Sequence, residues 1–212
     1  MLLTTPSLLL NDIDPDGDTL QVTSLNLAGT QGIVVLQPDG SVTYQPHPSL
    51  QSLAPSAVVT DTFTYTVEDS GGVTDTATVT VEIVGLNDAP VAQDDAGLAF
   101  LTDSSSSFDT GNVLSNDTDI DDGSELSITS VDTTQTFGTV TDNGDGTFNY
   151  DPAREFDALG TGESKEDTFT YTVSDGQGGT DTATVTVQIQ GGILAETSFN
   201  DNAGDASWQT AS

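Results

Sequence analysis

Residues 61–83 read DTFTYTVEDSGGVTDTATVTVEI, and residues 167–189 read DTFTYTVSDGQGGTDTATVTVQI, the same string displaced by 106 positions. Each half of the string alternates. In residues 62–67 and 168–173, Phe, Tyr and Val fall on one face and Thr on the other, the period-two pattern of a half-buried strand. The second half repeats the pattern, with Ala77, Val79, Val81 and Ile83 inward, then Ala183, Val185, Val187 and Ile189. The intervening EDSGG and SDGQGG are glycine-rich loops suited to a hairpin.

Outward from this string the repeat continues. Tyr44 matches Tyr150, Pro46 matches Pro152 and Gly32 matches Gly138. Further upstream the displacement becomes 105, so Asn11, Asp12, Asp14 and Asp16 match Asn116, Asp117, Asp119 and Asp121, with one residue inserted after them. Further strands are expected at 20–25, 33–36 and 42–44, with counterparts at 126–131, 139–141 and 147–150. Asp39-Gly40 and Asp145-Gly146 supply turns between the last two of each set. About seven short strands per copy, without a helical period, predict an all-β chain of two tandem immunoglobulin-like β-sandwiches. The expected boundaries are 1–86 for the first domain, 87–190 for the second, and 191–212 for a tail or the start of a following module. The first copy has only ten residues before its acidic stretch, so its opening strand is expected to be partly missing. SSSS at 104–107 reads as a surface loop, and the only tryptophan, Trp208, lies in the tail.

Composition narrows the function. The 212 residues carry 34 Asp+Glu against 2 Lys+Arg, a formal net charge of -32, and the two cations are Arg154 and Lys165. Nucleic acid and anionic membranes, which need clustered basic residues, are excluded as partners; small cations are the natural counterparts. Charge this high can mean disorder, but the ordered alternation of the apolar residues argues against it. No cysteine is present. MLLTTPSLLL at the start is too short for a signal peptide and has no basic n-region. No apolar stretch approaches the roughly 18 residues of a membrane span. The chain reads as a segment of a longer protein.

The acids are concentrated. NDIDPDGD at 11–18 and NDTDIDDGSE at 116–125 place aspartates at alternate positions beside a glycine turn. Short carboxylates at this spacing can converge on one calcium ion, which takes 6–8 oxygen ligands. Asp12, Asp14 and Asp16 match the first half of an EF-hand loop, but Thr23 stands where a bidentate glutamate is required. The glycine-rich nonapeptide calcium helix is excluded too, because GQGGTDTAT occurs once. Magnesium keeps more of its waters, and a single histidine with no cysteine makes zinc a poor fit. Asp39, Asp142 and Asp145 stand alone at hairpin tips and read as turn residues.

The same residues carry a resemblance. EDSGGVTDTATVTVEIVGLNDAP is similar to the last hairpin and linker of a cadherin repeat, which typically ends D-x-N-D-N-x-P, and the D-x-D pairs resemble the motif that meets that linker from the next domain. In the second copy, YDPAREFDALGTGESKEDTFTYTVSDGQGG resembles the VCBS-type repeat of large bacterial RTX-type surface adhesins, with FDxLxxGE at Phe156, Asp157, Leu159, Gly162 and Glu163. The first copy has HPSLQSLAPSAVV there instead. The resemblance covers about residues 8–190 and implies a calcium site at the junction. Asn87 and Asp88 of the linker would meet Asp117, Asp119 and Asp121 of the second acidic stretch, with Asp175 completing the wall. Asp12, Asp14, Asp16 and Asp69 would form the equivalent site of the first domain, and Glu163 would face a following repeat. GLNDAP is shorter in acids than the full cadherin linker, which leaves the number of ions open.

The function this implies is a pair of extracellular, calcium-stiffened extender modules of a bacterial surface adhesin serving adhesion and biofilm formation. Its partners would be calcium, neighbouring repeats of the parent protein and, in a lectin-like alternative, polysaccharide or identical chains. The chain is otherwise expected to be a monomer without membrane insertion. A lectin usually offers exposed aromatics, whereas Tyr44, Phe63 and Tyr65 fall at core-facing positions. An enzyme is not expected: no GxSxG or HExxH is present, and His47 lies between two prolines.

Overall fold

The computed structural model describes residues 2–100, 107–152 and 154–191. The tail beyond Gly191, and the expected serine loop apart from Ser107, lie outside the described residues. All the extended elements are β-strands, and the only helical elements among the described residues are three 3-10 turns, Leu8–Asn11, Pro48–Leu50 and Val113–Ser115.

The first repeat holds β1 (Leu3–Thr4), β2 (Gln21–Asn26), β3 (Ile33–Leu36), β4 (Val42–Gln45), β5 (Val58–Glu68) and β6 (Thr74–Val84). They form two three-stranded sheets, β1-β4-β3 and β2-β5-β6. The quoted string is the β5–β6 hairpin, antiparallel from Val58↔Val84 to Glu68↔Thr74. Its strands are longer than the 62–67 run expected, because pairing continues through Val58, Val59 and Thr60, and Ser164, Lys165 and Glu166 at the matching positions of the second repeat likewise lie in a strand. Both sheets feed one core, in which Val22, Val34, Val42, Tyr44, Phe63, Tyr65 and Val81 pack together with Leu8. This is the expected sandwich.

The second repeat adds β7 (Asp95–Phe100), β8 (Phe108–Asp109), β9 (Ser127–Asp132), β10 (Thr139–Asp142), β11 (Phe148–Asp151), β12 (Ser164–Ser174) and β13 (Thr180–Gln190). Its sheets run β10-β11-β8 and β7-β13-β12-β9. β7 lies parallel to β13 and has no equivalent among the described strands of the first repeat, which thus has six strands against seven. The fourth strand goes with a drier sheet. Val185, Val187 and Ile189 are fully buried, whereas of their counterparts Val79, Val81 and Ile83 only Val81 is buried. Across the second core Phe148 meets Phe169 edge-on at 5.0 Å and Tyr171 at 6.3 Å. Burying each such aromatic side chain contributes about 1.5–3 kcal/mol.

The described chain divides into two compact units. The first comprises residues 1–91, 118–126 and 174–181; the second comprises 92–117, 127–173 and 182 onward. The acidic turn after Asp117 and the SDGQGG loop therefore belong to the first unit, together with the linker residues Asn87 and Asp88.

One invariant of the repeat is a packing requirement. A Cβ at Gly138 would lie 2.5 Å from the Tyr150 ring and 2.7 Å from the Asp151 carbonyl, and one at Gly32 would run into the Tyr44 ring. Gly138→Ala is expected to destabilise its domain by about 1–3 kcal/mol through overpacking. A thermal melt unchanged by the substitution would show that the ring can step aside.

Candidate metal centre

The second acidic stretch starts from the 3-10 turn Val113–Ser115, capped by Asn112, whose Oδ1 accepts the Leu114 amide at 2.9 Å. Asp117 follows as a strut. Its Oδ1 accepts the Gln93 amide at 2.8 Å and its Oδ2 the Tyr171 hydroxyl at 2.9 Å. Burial, and then the hydrogen bond to Asp117, push the Tyr171 phenol well above its usual range. Asp117 is thus held through both oxygens, by the core residue Tyr171 and by the backbone at Gln93.

Two residues on, the chemistry changes. Asp119 Oδ1 accepts the Asp121 amide at 2.8 Å, and Asp121 Oδ2 accepts the Asp88 amide at 2.9 Å. The other oxygens, Asp119 Oδ2 and Asp121 Oδ1, are buried with no hydrogen-bond partner, as is Ser124 Oγ in the same turn. Asp121 is only 5% exposed. Beside them Asn87 Nδ2 donates to Asp175 Oδ2 at 2.8 Å. Asp175 Oδ1 takes the amides of Gln177, Gly178 and Gly179 at 2.7–3.0 Å. The Asn87 contact, helped by these amides, holds the Asp175 carboxyl below the usual carboxylate range. Gly179 allows the linker this approach, since a Cβ there would meet Ala89 at 2.9 Å and Pro90 at 3.0 Å. The structure therefore holds two short hydrogen-bonded groups, Asp88–Asp121–Asp119 and Asn87–Asp175, joined through the adjacent linker residues Asn87 and Asp88, with Asp117 anchoring the turn.

Among the described residues no group of three or more His, Cys, Asp or Glu is disposed to hold a metal ion as it stands. What fits a cation is the pair of orphaned carboxylate oxygens. An ionised carboxylate oxygen kept from water without a partner costs several kcal/mol. The chain has two basic side chains in all, and one of them, Lys165, lies over the Phe137 ring at 4.3 Å. Hard oxygen donors of this kind, carboxylate with amide and hydroxyl, suit calcium.

The first repeat's acids are arranged more openly. Asp12 accepts the Tyr65 hydroxyl with both oxygens, at 3.0 and 2.8 Å. Burial, then this contact, push the Tyr65 phenol up to about 12. Asp14 Oδ1 accepts the amides of Asp16 and Asp18 at 2.8 and 3.1 Å. Asp69 Oδ1 accepts the Val73 amide at 2.7 Å, and Asp16 is exposed. Asn11, Asp12, Asp14, Asp69 and Asp75 line one cleft. None of these carboxylates is both buried and unpartnered.

Other expected roles fall out simply. Asp39 Oδ1 and Asp145 Oδ1 accept amide and hydroxyl of Ser41 and Thr147, and Asp142 Oδ1 accepts the Gly144 amide, all within their turns. His47 Nδ1 accepts the Ser49 amide and caps Pro48–Leu50. Glu163 Oε2 accepts the Gly160 amide at 2.8 Å. Sequence reasoning did not single out Ser124, Asp75 or Asp95. Burial pushes the Asp95 carboxyl up to about 6, and its Oδ2 is buried without a partner, like Asn116 Oδ1. The alternation of QDDA carries no sign that one of its acids turns inward.

A family model for the bacterial cadherin-like domain matches residues 2–85 and again 87–191. The chain belongs to this family. Cadherin-like domains typically bind calcium and mediate adhesion, and the fold is typically a non-enzymatic module. Among solved structures, Drosophila N-cadherin EC1-4 is similar at 15% identity and a TM-score of 0.48, covering 85% of this chain and 44% of that one. Mouse clustered PcdhgC3 EC1-3 is similar at 16% identity and a TM-score of 0.42, covering 82% and 56%. An endo-fucoidan hydrolase of glycoside hydrolase family 107 is similar at 20% identity and a TM-score of 0.29, covering 82% and 28%. At these scores the likenesses add nothing to what the family model shows, and the chain spans about half or less of each of these proteins. No curated protein matches the chain. No described helix is long and apolar enough to cross a membrane.

Proposed function

We propose that the chain is a pair of calcium-binding extender modules from a VCBS-type or RTX-type bacterial surface adhesin, working outside the cell in adhesion and biofilm formation. The observation that carries this reading is the pair of buried, unpartnered oxygens, Asp119 Oδ2 and Asp121 Oδ1, beside linker residue Asp88. Asn87, Asp88, Asp119, Asp121 and Asp175 would hold the ion, with Asp117 as the strut that fixes the turn. Bound calcium supplies the positive charge that lets these oxygens stay buried. The ion adds to the hydrogen bonds that already tie Asn87 and Asp88 to Asp175 and Asp121, and the tandem modules stiffen. Asp12, Asp14, Asp16 and Asp69 form a second, more exposed and weaker site. The protein works as a monomer whose natural partners are calcium and neighbouring repeats. A sugar platform draws no support from the aromatics, since Tyr44, Phe63, Tyr65 and their counterparts Tyr150, Phe169 and Tyr171 are buried.

Calorimetric titration of calcium into the chain and into Asp119→Ala/Asp121→Ala tests this. The tighter binding event is expected to vanish in the double variant while the weaker one persists. Unchanged stoichiometry and affinity in the variant would remove the central site.

A further inference from the structure

The two repeats differ at one position beside the orphaned oxygens. After the inserted Asp122, the displacement returns to 106, so Gly17 matches Gly123 and Asp18 matches Ser124. The turn conformations agree, with φ at +81° and +80° at the two glycines. In the first repeat Asp18 Oδ1 accepts the Ser70 hydroxyl at 2.6 Å, and that pair is exposed and closed on itself. In the second repeat Gly176 stands where Ser70 stood, so Ser124 has lost the side chain that its counterpart pairs with. Its Oγ is buried without a partner, in the same turn as Asp119 Oδ2 and Asp121 Oδ1. A hydroxyl can rotate to donate or accept, so a buried one that does neither is uncommon. The Ser124 amide is meanwhile occupied, donating to the Asp121 carbonyl at 3.2 Å, which holds the residue in place.

We propose that Ser124 is a ligand of the cation held by Asp119 and Asp121, and that its neutral oxygen sets the affinity of that site. The inference rests on the calcium reading and goes one residue beyond it. Calcium affinity is tuned by the number of charged ligands, and the first repeat places a carboxylate at this very position. The second repeat has exchanged that charge for a hydroxyl inside a more buried site.

The test is a titration of Ser124→Ala and Ser124→Asp against the wild-type chain, with calcium by calorimetry and with terbium by luminescence. Ser124→Ala is expected to weaken binding at the tight site by about 5- to 10-fold, the loss of one oxygen contact. Ser124→Asp is expected to tighten it by roughly 10-fold. Stoichiometry stays unchanged in both. Affinities of both variants within twofold of wild type overturn the proposal, even if Ser124→Ala lowers the melting temperature in chelator, because that is a packing effect alone. Failure of the wild-type chain to bind calcium defeats the calcium reading itself. Binding lost in Asp119→Ala/Asp121→Ala but unmoved by either Ser124 variant defeats only this inference.

Discussion

Asp61→Ala is expected to cost the first domain about 3–5 kcal/mol, a large share of the roughly 5–15 kcal/mol that holds a domain folded. Asp61 is 2% exposed. It accepts the Tyr44 hydroxyl at 2.6 Å and the amides of Gln31, Gly32 and Thr62 at 2.9–3.1 Å. Removing the carboxylate orphans these donors together, and each buried one left unpaired costs about 1–3 kcal/mol. Asp167 repeats the arrangement with the Tyr150 hydroxyl at 2.5 Å and the amides of Phe137, Gly138 and Thr168. The latch is thus common to both repeats.

Acid should open the Asp61 latch as well. Burial alone would raise the Asp61 pKa, but the Tyr44 hydroxyl and the three amides outweigh it and hold the group below the usual carboxylate range. The folded state therefore binds its proton later than the unfolded state. The stabilisation is present above a pH of about 4 and is lost as pH falls through the lower folded value. Asp61→Asn should flatten that acid limb and lower stability at neutral pH. Differential scanning calorimetry of the wild type, Asp61→Ala and Asp61→Asn from pH 3 to 7 reads both effects. A neutral-pH loss under 1 kcal/mol in Asp61→Ala would refute the latch.

That latch also shows where sequence reading stopped. Residues 61–67 alternate inward and outward, so Phe63, Tyr65 and Val67 could be placed in the core from their spacing alone. Asp61 occupies the same inward register, and the exception was the signal: a charge in a core position needs donors, which Tyr44 and the Gly32 turn supply. Those donors lie 17 to 30 residues upstream and no local period announces them. The 3-10 turns were not foreseen, because three or four residues are too few to show a period, although Ser7 and Asn112 stand as their caps. β7 carries only six residues of DAGLAF and pairs in parallel, so no hairpin loop marks it.

The candidate site divides in the same way. Alternate aspartates drew attention to Asp117, Asp119 and Asp121 together, because spacing is visible in a string. Their separation into one carboxylate bonded through both oxygens and two that each keep a buried unpartnered oxygen depends on Tyr171, 54 residues from Asp117, and on Asp88, 33 residues from Asp121. Both are tertiary facts. Ser124 carries no local signal either, because its buried, unpartnered Oγ depends on the fold and its contrast with Asp18 on the alignment of the two repeats.

Calcium is expected to raise the melting temperature by about 10 °C relative to excess chelator. Extracellular modules bind calcium with Kd of about 10⁻⁴–10⁻³ M. At 10 mM calcium each site is then about 10- to 100-fold above its Kd and adds about 1.4–2.7 kcal/mol, where 1 kcal/mol moves a domain of this size by roughly 4–8 °C. A rival cause must be separated, because a formal charge of -32 would be relieved by any salt. Screening acts over a Debye length of about 8 Å at 0.15 M ionic strength, whatever the cation. Sodium or magnesium at matched ionic strength should therefore reproduce a screening effect but not a site-specific one. The calcium increment should survive in 0.15 M sodium chloride, where general repulsion is already damped, and should shrink in Asp119→Ala/Asp121→Ala. Exposed carboxylates alone cannot produce that difference, since removing two of 34 acids barely changes the overall field. Equal stabilisation by sodium chloride and calcium at the same ionic strength would assign the effect to screening and leave the buried oxygens unexplained.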